Sequence, residues 1–499
     1  MPSARDDPPD FRVPSSESEF EAVEAAEVSP ALPSATLAAG AAPAPTEAAL
    51  AAREGYREIW ALSWPVMLAQ VLANAVSLID IAMVGRLGPE AVAAVGYATQ
   101  FFYLSQSLLY AVGFACVALM ARAIGAGDPN RARHALAASV GVAVVAALCV
   151  MAVVLAAPTA LLRLLGADET VVSLTVPYLE LMLGASVLLA VSMIIESGLR
   201  ADRNTRLPMQ IAVLVTAVKI ILNFVLIFGA FGFPRLELVG AGLATVASQA
   251  IGLGLFAAVV ARAKSGTPIA LRPADFAAAR PLLPDVVRIS LPSLGERLAM
   301  NLALLAYFRI LAGYGTVAIA AYTVGIRVLA FSWIPGIGFG TAAATLVGQA
   351  LGAGDLRGAR EAGWRATRAA VAVAAGLGAV CALARTSLAR AFTSDAETIA
   401  ALGPFLLCLA LAQPFLQGHF ALGGAHRGAG DTWTPFVASA LGNWAVRVPL
   451  AILLAVVLQR DLVWVWYVLL LDHGVRAAWL ARSFQRGGWS RKLDARPEQ

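Results

Sequence analysis

Ionisable side chains inside long apolar runs are the residues of this sequence best placed to do chemistry. Asp80 lies near the end of one run, and Glu296 follows Pro292 by four residues in another. A charged group at the centre of a membrane helix costs roughly 2.5–3.5 kcal/mol on insertion scales, so such groups mark ion or substrate pathways. Burial also disfavours the charged form of a carboxylate. The two carboxylates are therefore predicted to bind and release a coupling ion, H⁺ or Na⁺.

Simpler roles stay open for both carboxylates. The alternative for Asp80 is a residue at the membrane interface whose charge is satisfied by water or by a helix cap. Glu296 is followed directly by Arg297, and this pair would also anchor a helix at the membrane surface. The proline before Glu296 frees a backbone carbonyl and can bend the helix. In the ion-coupling interpretation, the carboxylate of Glu296 faces a cavity.

Lys219 lies in the middle of an apolar run, four residues before Asn223. Residues four apart share one face of a helix, so both are predicted to belong to the ion-coupling site. A buried ammonium group needs a partner or must lose its proton. The hypothesis is that Lys219 pairs with Asp80 when the site is free of protons and releases it on protonation. A purely structural ion pair is the alternative.

Polar side chains interrupt other apolar runs and are candidates for lining a substrate cavity. Hydrogen bonds between neighbouring helices are the alternative role for such residues. The cavity candidates are Tyr178, Gln413 and Gln417. A separate compact polar group, which is interpreted as structural, consists of Asp472, His473 and Arg476.

No motif in the sequence supports enzymatic chemistry. A Walker motif, a nucleophile elbow and an HExxH zinc motif are all absent from the 499 residues. The four cysteines and four histidines are scattered, without CxxC spacing, so neither a disulfide framework nor a zinc site is predicted. The protein is predicted to be no enzyme, to use no cofactor apart from the coupling ion, and to bind no nucleic acid.

The composition indicates a membrane protein. Apolar residues make up 59% of the chain and charged residues 14%, and the mean hydropathy is +0.74. A soluble domain averages roughly 45–50% apolar and 25% charged residues. A helix needs about 20 apolar residues to cross the hydrocarbon layer. About twelve spans are predicted: 57–84, 90–121, 133–158, 169–199, 207–230, 238–263, 286–313, 317–350, 362–388, 396–426, 433–458 and 461–483.

The distribution of Lys and Arg orients these spans. Basic residues concentrate in the loops after spans two, four, six and eight and in the segment after span twelve. The positive-inside rule places these segments, and hence both termini, in the cytoplasm. Residues 1–54 are acidic and rich in Ala, Pro and Ser, so a disordered cytoplasmic tail is predicted there. A cytoplasmic linker at 264–285 and a cytoplasmic tail at 485–499 complete the predicted organisation.

A repeat with an offset of 227 residues divides the chain into two halves. Pro65 corresponds to Pro292, and the Gly-Ala-Gly-Asp segment at Gly125 corresponds to the one at Gly352. The same offset relates Arg200 to Arg427 and Pro208 to Pro435. Each half holds six spans, so both copies insert with the same orientation, and substrate sites in such parallel repeats lie between the halves. The predicted lobes are 55–263 and 286–484.

Several motifs carry a resemblance to a known family. They are Pro65 in the first span, the segment from Asp80 to Gly85, the two Gly-Ala-Gly-Asp loops and the segment from Arg427 to Pro435. With them, nearly everything after residue 55 resembles the multidrug and toxin extrusion (MATE) transporters. Leu-Pro-Ser at 291–293, followed by Glu296, is similar to the DinF-like branch.

The resemblance implies efflux of bulky, often cationic organic compounds through a V-shaped cavity between two bundles, driven by inward H⁺ or Na⁺. It also implies that Asp80 binds the coupling ion, because related transporters have an aspartate at this motif position that does so. Lys219 departs from the family, whose members often carry a small polar residue or asparagine there. Leu416 stands where one sodium-coupled branch has an acid, and this favours H⁺.

These patterns together predict an all-α integral membrane protein with about twelve transmembrane helices in two pseudo-symmetric six-helix bundles. The protein is expected in the plasma or inner membrane, as a monomer that exchanges small organic compounds for H⁺. Two alternatives remain open. One is a flippase for lipid-linked precursors, to which Lys219, Arg309 and Arg327 would contribute positive charge. The other is a membrane receptor or scaffold that transports nothing.

Overall fold

The first helix begins earlier than the sequence predicts. A computed structural model describes residues 47–392 and 394–491 of the protein; residues 1–46 of the predicted N-terminal tail and 492–499 of the predicted C-terminal tail lie outside the described residues. Helix α1 (Glu47–Val84) starts at Glu47. The prediction of disorder is therefore wrong for residues 47–54, because the Ala, Glu and Arg residues there are strong helix formers and extend the first span.

Five further long helices and one short helix form the first half of the protein. Prolines begin three of these helices, at positions where the missing N–H has no intrahelical partner in any case. Asp128 caps the helix that begins at Pro129, and Asp168 caps the helix that begins at Glu169. Both side chains accept a hydrogen bond from a backbone N–H group. The helices are α2 (Pro89–Gly125), α3 (Pro129–Ala156), α4 (Pro158–Leu164), α5 (Glu169–Ala201), α6 (Arg206–Phe228) and α7 (Glu237–Arg262).

The second half repeats this pattern with more interruptions. One span is broken at Trp333 before Pro335, and another contains two π-helical turns, Leu441–Arg447 and Leu453–Val457. The helices are α8 (Pro273–Ala278), α9 (Leu283–Leu311), α10 (Thr316–Ser332), α11 (Ile334–Gly352), α12 (Leu356–Phe392), α13 (Ala396–Gly428), α14 (Trp433–Ala440), α15 (Val448–Ile452) and α16 (Leu462–Arg486).

Ten helical stretches within the described residues are long and apolar enough to cross a membrane. Two further helices, α9 and α16, have 29 and 25 residues. At 1.5 Å per residue they are also long enough to span, although they carry more charged side chains. Together these elements give the twelve predicted spans, and the described part of the chain contains no β-strand. The all-α membrane fold is therefore confirmed.

The π-helical turn at Leu441–Arg447 changes the register between the two halves. Up to Pro208 and Pro435 the offset is 227 residues. A π-turn has i→i+5 hydrogen bonds and takes up one more residue than an α-turn. Lys219, eleven residues after Pro208, therefore corresponds to Arg447, which is twelve residues after Pro435.

Two close contacts, each between a glycine of one half and a backbone oxygen of the other, join the two halves. A Cβ atom at Gly125 would lie 1.9 Å from the backbone oxygen of Gln349, and a Cβ at Gly352 would lie 2.0 Å from that of Arg122. Arg122 and Gln349 are themselves related by the 227-residue offset. This reciprocal arrangement, which we call the glycine contact, has the form of a two-fold interface between two copies, as a parallel repeat requires.

The linker between the halves packs against the first half. Asp275 of α8 is buried, lies 3.6 Å from Arg133 of α3, and accepts a 2.8 Å hydrogen bond from the backbone N–H of Arg272. Beyond α16, Trp489 folds back and stacks on Phe484 with ring centroids 4.6 Å apart. Parts of the predicted linker and of the predicted C-terminal tail are thus fixed by tertiary contacts.

Candidate functional site

Asp80 of α1 contacts two side chains of α6. Its Oδ2 atom lies 2.5 Å from Nζ of Lys219, and its Oδ1 atom accepts a 2.5 Å hydrogen bond from Nδ2 of Asn223. The side chain of Asp80 is 26% exposed and that of Lys219 is 18% exposed. The ion pair is therefore neither sealed in the core nor free in solvent. We call Asp80, Lys219 and Asn223 the N-lobe cluster.

Helix geometry explains how the N-lobe cluster forms. Lys219 and Asn223 are four residues apart on α6 and share one face, while Asp80 lies one turn before α1 ends at Val84. Each carboxylate oxygen thus has its own donor, and protonation of Asp80 would remove the charge that attracts Lys219. The expected contact between Lys219 and Asp80 is present, and its role in ion coupling stays a prediction.

The three residues predicted to line the substrate cavity are buried in helix packing. A Cβ at Gly242 of α7 would lie 3.3 Å from Cδ2 of Tyr178, so the tyrosine ring packs closely on that helix. Gln417 of α13 donates to the backbone oxygen of Ser332 and lies 3.1 Å from Oε1 of Gln413. One of these hydrogen bonds joins two helices and the other lies within α13. Hydrogen bonding between helices was the predicted alternative to lining a cavity. Substrate binding by the three stays a prediction.

The second half carries different residues at the positions that correspond to the N-lobe cluster. Tyr307 corresponds to Asp80 by the 227-residue offset, and Arg447 corresponds to Lys219 after the π-turn. The guanidinium carbon of Arg447 lies 6.0 Å from the ring centroid of Tyr307, within the range of a cation–π interaction. The Tyr307 hydroxyl donates a 2.9 Å hydrogen bond to the backbone oxygen of Val465.

The carboxylate that pairs with Arg447 comes instead from α16. Arg447 forms an ion pair with Asp472, and Arg476 binds both oxygens of Asp472 at 2.6 and 2.7 Å. Arg476 also donates a 2.7 Å hydrogen bond to Oδ1 of Asn443. Asp472 is fully buried. We call Asn443, Arg447, Asp472 and Arg476 the C-lobe cluster.

Glu296 forms part of a contact between the two halves. Both of its carboxylate oxygens accept hydrogen bonds from Nη2 of Arg427, at 2.8 and 2.7 Å. Arg427 lies over the ring of Phe114 in α2, at 4.7 Å from the centroid. Arg297 lies over Tyr110 of the same helix at 4.5 Å. Glu296 thus holds an arginine that packs on the other half, and its role in ion coupling stays a prediction.

Hydrogen bonds between the end of α5 and α11 join the halves near the glycine contact. Gln349 donates a 2.7 Å hydrogen bond to the backbone oxygen of Ala201 and accepts one of 2.5 Å from Nε of Arg203. Thr345 donates a 3.0 Å hydrogen bond to the backbone oxygen of Arg200. We call these bonds, together with the glycine contact, the interlobe layer.

The repeated architecture matches a known protein family. The family model MatE matches residues 65–225 and then residues 292–453, one copy in each half of the chain. The chain belongs to the MatE family. It is 32% identical over 433 residues to "Probable multidrug resistance protein NorM" of Bradyrhizobium diazoefficiens, covering 85% of this chain and 92% of that protein. It is 26% identical over 446 residues to the protein of the same name from Thermotoga maritima, covering 87% and 93%.

Solved transporter structures share the fold of this MatE protein. The TM-score is 0.80 with a MOP superfamily transporter from Pyrococcus furiosus, at 22% identity, covering 88% of this chain and 96% of that one. It is also 0.80 with the Vibrio cholerae MATE transporter VcmN in its bent form, at 22% identity, covering 89% and 99%. At this identity the likeness establishes the two-lobe helical fold. The predicted family is confirmed, and the DinF-like branch stays a prediction.

Two charge partners in this MatE protein were missed from the sequence. Arg447 lies inside an apolar run and carried the same signal as Lys219, a cation within a predicted span. Arg427 belongs to the segment that resembles the family, but nothing in its spacing indicates contact with Glu296. Both residues pair with carboxylates on other helices, and sequence periodicity does not show which helices are neighbours.

Proposed function

We propose that this MatE protein is a secondary active antiporter that exports small organic compounds in exchange for inward H⁺. The relatives named as multidrug resistance proteins support drug-like organic molecules as the substrate class. The N-lobe cluster is the observation that carries proton coupling. It places a partly exposed carboxylate in a membrane span beside Lys219, and protonation of Asp80 would remove the charge that attracts the ammonium group.

The proposed cycle starts with the ionised site. In that state the ion pair with Lys219 and the hydrogen bond from Asn223 hold α1 against α6. A proton that reaches Asp80 neutralises it, and the ammonium group of Lys219 then loses its counter-ion. The unbalanced positive charge repels a cationic substrate and favours its release. Loss of the proton restores the ion pair and resets the site.

Coupling further requires two orientations of the lobes that bind the proton and the substrate with different affinity. The interlobe layer lies beside the Gly-Ala-Gly-Asp loops, which the positive-inside rule assigns to the cytoplasm. The proposal therefore treats the structure as outward-facing, with the cytoplasmic side closed by this layer. It also places a monomer in the plasma membrane with both termini in the cytoplasm.

Efflux from proteoliposomes tests this proposal. The measurement is substrate efflux under an imposed pH gradient without sodium, for the wild type, for Asp80→Asn, and for Glu90→Gln as a carboxylate control at the start of α2. We expect gradient-driven efflux in the wild type and the control, and efflux at the level of protein-free vesicles in Asp80→Asn.

Three results would contradict the proposal. Efflux that needs a sodium gradient would replace H⁺ by Na⁺ as the coupling ion. Efflux that persists in Asp80→Asn would move ion coupling away from the N-lobe cluster, with Glu296 the next carboxylate to test. Substrate binding without any counterflow would favour a receptor or scaffold.

A further inference from the structure

A small cavity borders the C-lobe cluster. Its volume is about 40 Å³, and four of its lining side chains carry guanidinium or imidazole groups: His419, Arg447, His473 and Arg476. None of the described residues that line it is acidic, and Asp472 is not among them. A cavity needs roughly 10–15 Å³ to hold one water molecule. The space therefore suffices for a small ion with one or two waters.

The cavity wall carries more positive than negative charge. In the C-lobe cluster two guanidinium groups share the single carboxylate of Asp472. The nearby carboxylate of Glu296 is occupied at both oxygens by Arg427. A buried charge without a counter-charge is costly. A negatively charged ligand in the cavity would offset that cost.

Four buried nitrogen atoms of the cavity wall lack a hydrogen-bond partner. Nε of Arg447, Nδ1 of His473, Nε2 of His419 and Nε1 of Trp333 have no hydrogen-bond partner among the described residues. Arg447 and His473 are each only 5% exposed. Arginine and tryptophan N–H groups only donate, and an imidazole nitrogen donates when it carries a proton. A ligand that accepts several hydrogen bonds in a small space suits this wall.

We propose that this cavity binds one monovalent anion. The shared chemistry is a compact negative group that accepts N–H hydrogen bonds, supplied either by a free halide such as chloride or by the carboxylate of an organic molecule. The site lies in the half that lacks the Asp80–Lys219 pair, so the inference does not depend on proton coupling. Its test is a binding measurement and requires no transport.

Binding of chlorine-36 chloride to the purified full-length protein tests the proposal. The measurement is made in detergent at constant ionic strength, with thermal unfolding as the check that each variant is folded. We expect saturable binding of one chloride per chain in the wild type. Arg447→Gln is expected to bind at least tenfold more weakly. Arg327→Gln is the matched control, because Arg327 is an exposed arginine of α10 in the same half, and it is expected to bind like the wild type.

A second variant keeps the test decisive if Arg447→Gln does not fold. Leu409 lines the cavity and is 4% exposed, so Leu409→Phe adds bulk to the space without removing a charge. We expect it to lose chloride binding as well. Labelled formate separates the two sources of the anion. Saturable binding of formate but not chloride, with the same dependence on the variants, supports an organic carboxylate.

Two outcomes would overturn the proposal. One is that neither chloride nor formate binds saturably to the wild type. The other is that folded Arg447→Gln and folded Leu409→Phe both bind the anion as tightly as the wild type, since the site would then lie elsewhere.

Discussion

Corresponding positions of the two halves carry different charge pairs. The first half has Asp80 beside Lys219, and the second has Tyr307 beside Arg447. In the first half the counter-ion lies on α1 and is partly exposed, whereas in the second it is Asp472 of α16, sealed between two arginines. The same duplicated frame thus holds a partly exposed ion pair in one half and an enclosed charge network in the other, and only the first fits the proposed switching.

The largest expected effect is on stability, where the two carboxylates should separate most clearly. Asp472→Asn leaves two buried arginines without a counter-charge, and breaking a buried pair costs about 3–5 kcal/mol. Asp80→Asn removes a partly exposed pair and should cost about 1 kcal/mol or less. Thermal unfolding of both variants in detergent measures this. Equal losses would remove the contrast between a switching and a fixed carboxylate.

A smaller effect is expected at the glycine contact. A Cβ at Gly352 would lie 2.0 Å from a backbone oxygen, and overpacking of this kind costs about 1–3 kcal/mol. Gly352→Ala should therefore shift the lobes away from the closed interlobe layer. The distance between spin labels at Asp128 and Asp355 reports the shift. Gly376→Ala is the control, because a Cβ there meets no atom within 4 Å; an unchanged distance distribution in Gly352→Ala would show that the contact does not limit closure.

A change in pH dependence is expected when Lys219 is replaced. Lys219→Gln removes the ammonium group that pairs with the carboxylate of Asp80, so a proton at the site no longer has to displace an ion pair. The pH profile of gradient-driven efflux should move to higher pH. Tyr307→Phe, at the corresponding position of Asp80 in the second half, should leave the profile in place. An unmoved profile in Lys219→Gln would make the ion pair structural.

The smallest expected effect concerns Asp202, next to the interlobe layer. Burial raises the pKa of Asp202, so its ionised form lowers stability above that pKa, and this cost vanishes as the pH falls below the unfolded value. The corresponding residue of the second half is Ala429. Asp202→Ala should raise the melting temperature slightly at neutral pH and leave it unchanged in acid. A melting temperature that falls at neutral pH would mean that the carboxylate makes a favourable contact.

The helices could largely be predicted because hydrophobic length is a local property of the sequence. Ten of the twelve spans begin within four residues of their predicted limits, and the ninth starts six residues early, at Leu356. The first also starts early, at Glu47, because strong helix formers continue it outside the apolar run. The π-turn at Leu441–Arg447 could not be predicted, since an added residue leaves the apolar pattern of a span intact.

The candidate site was predicted only where residues of one helix or one motif define it. Lys219 and Asn223 share a face of α6, and the motif at Asp80 supplied their partner. The pair of Glu296 with Arg427 joins residues 131 positions apart. The C-lobe cavity likewise needs three-dimensional packing, because its four basic side chains come from α13, the π-turn and α16. Such contacts depend on which helices are neighbours.

The glycine contact also limits the mechanics of the molecule. Two reciprocal points of backbone contact hold one lobe against the other at Gly125 and Gly352. In the proposed cycle, the first movement of the lobes would be a tilt about the line through these two points. Two residues without side chains would then set the position of its hinge.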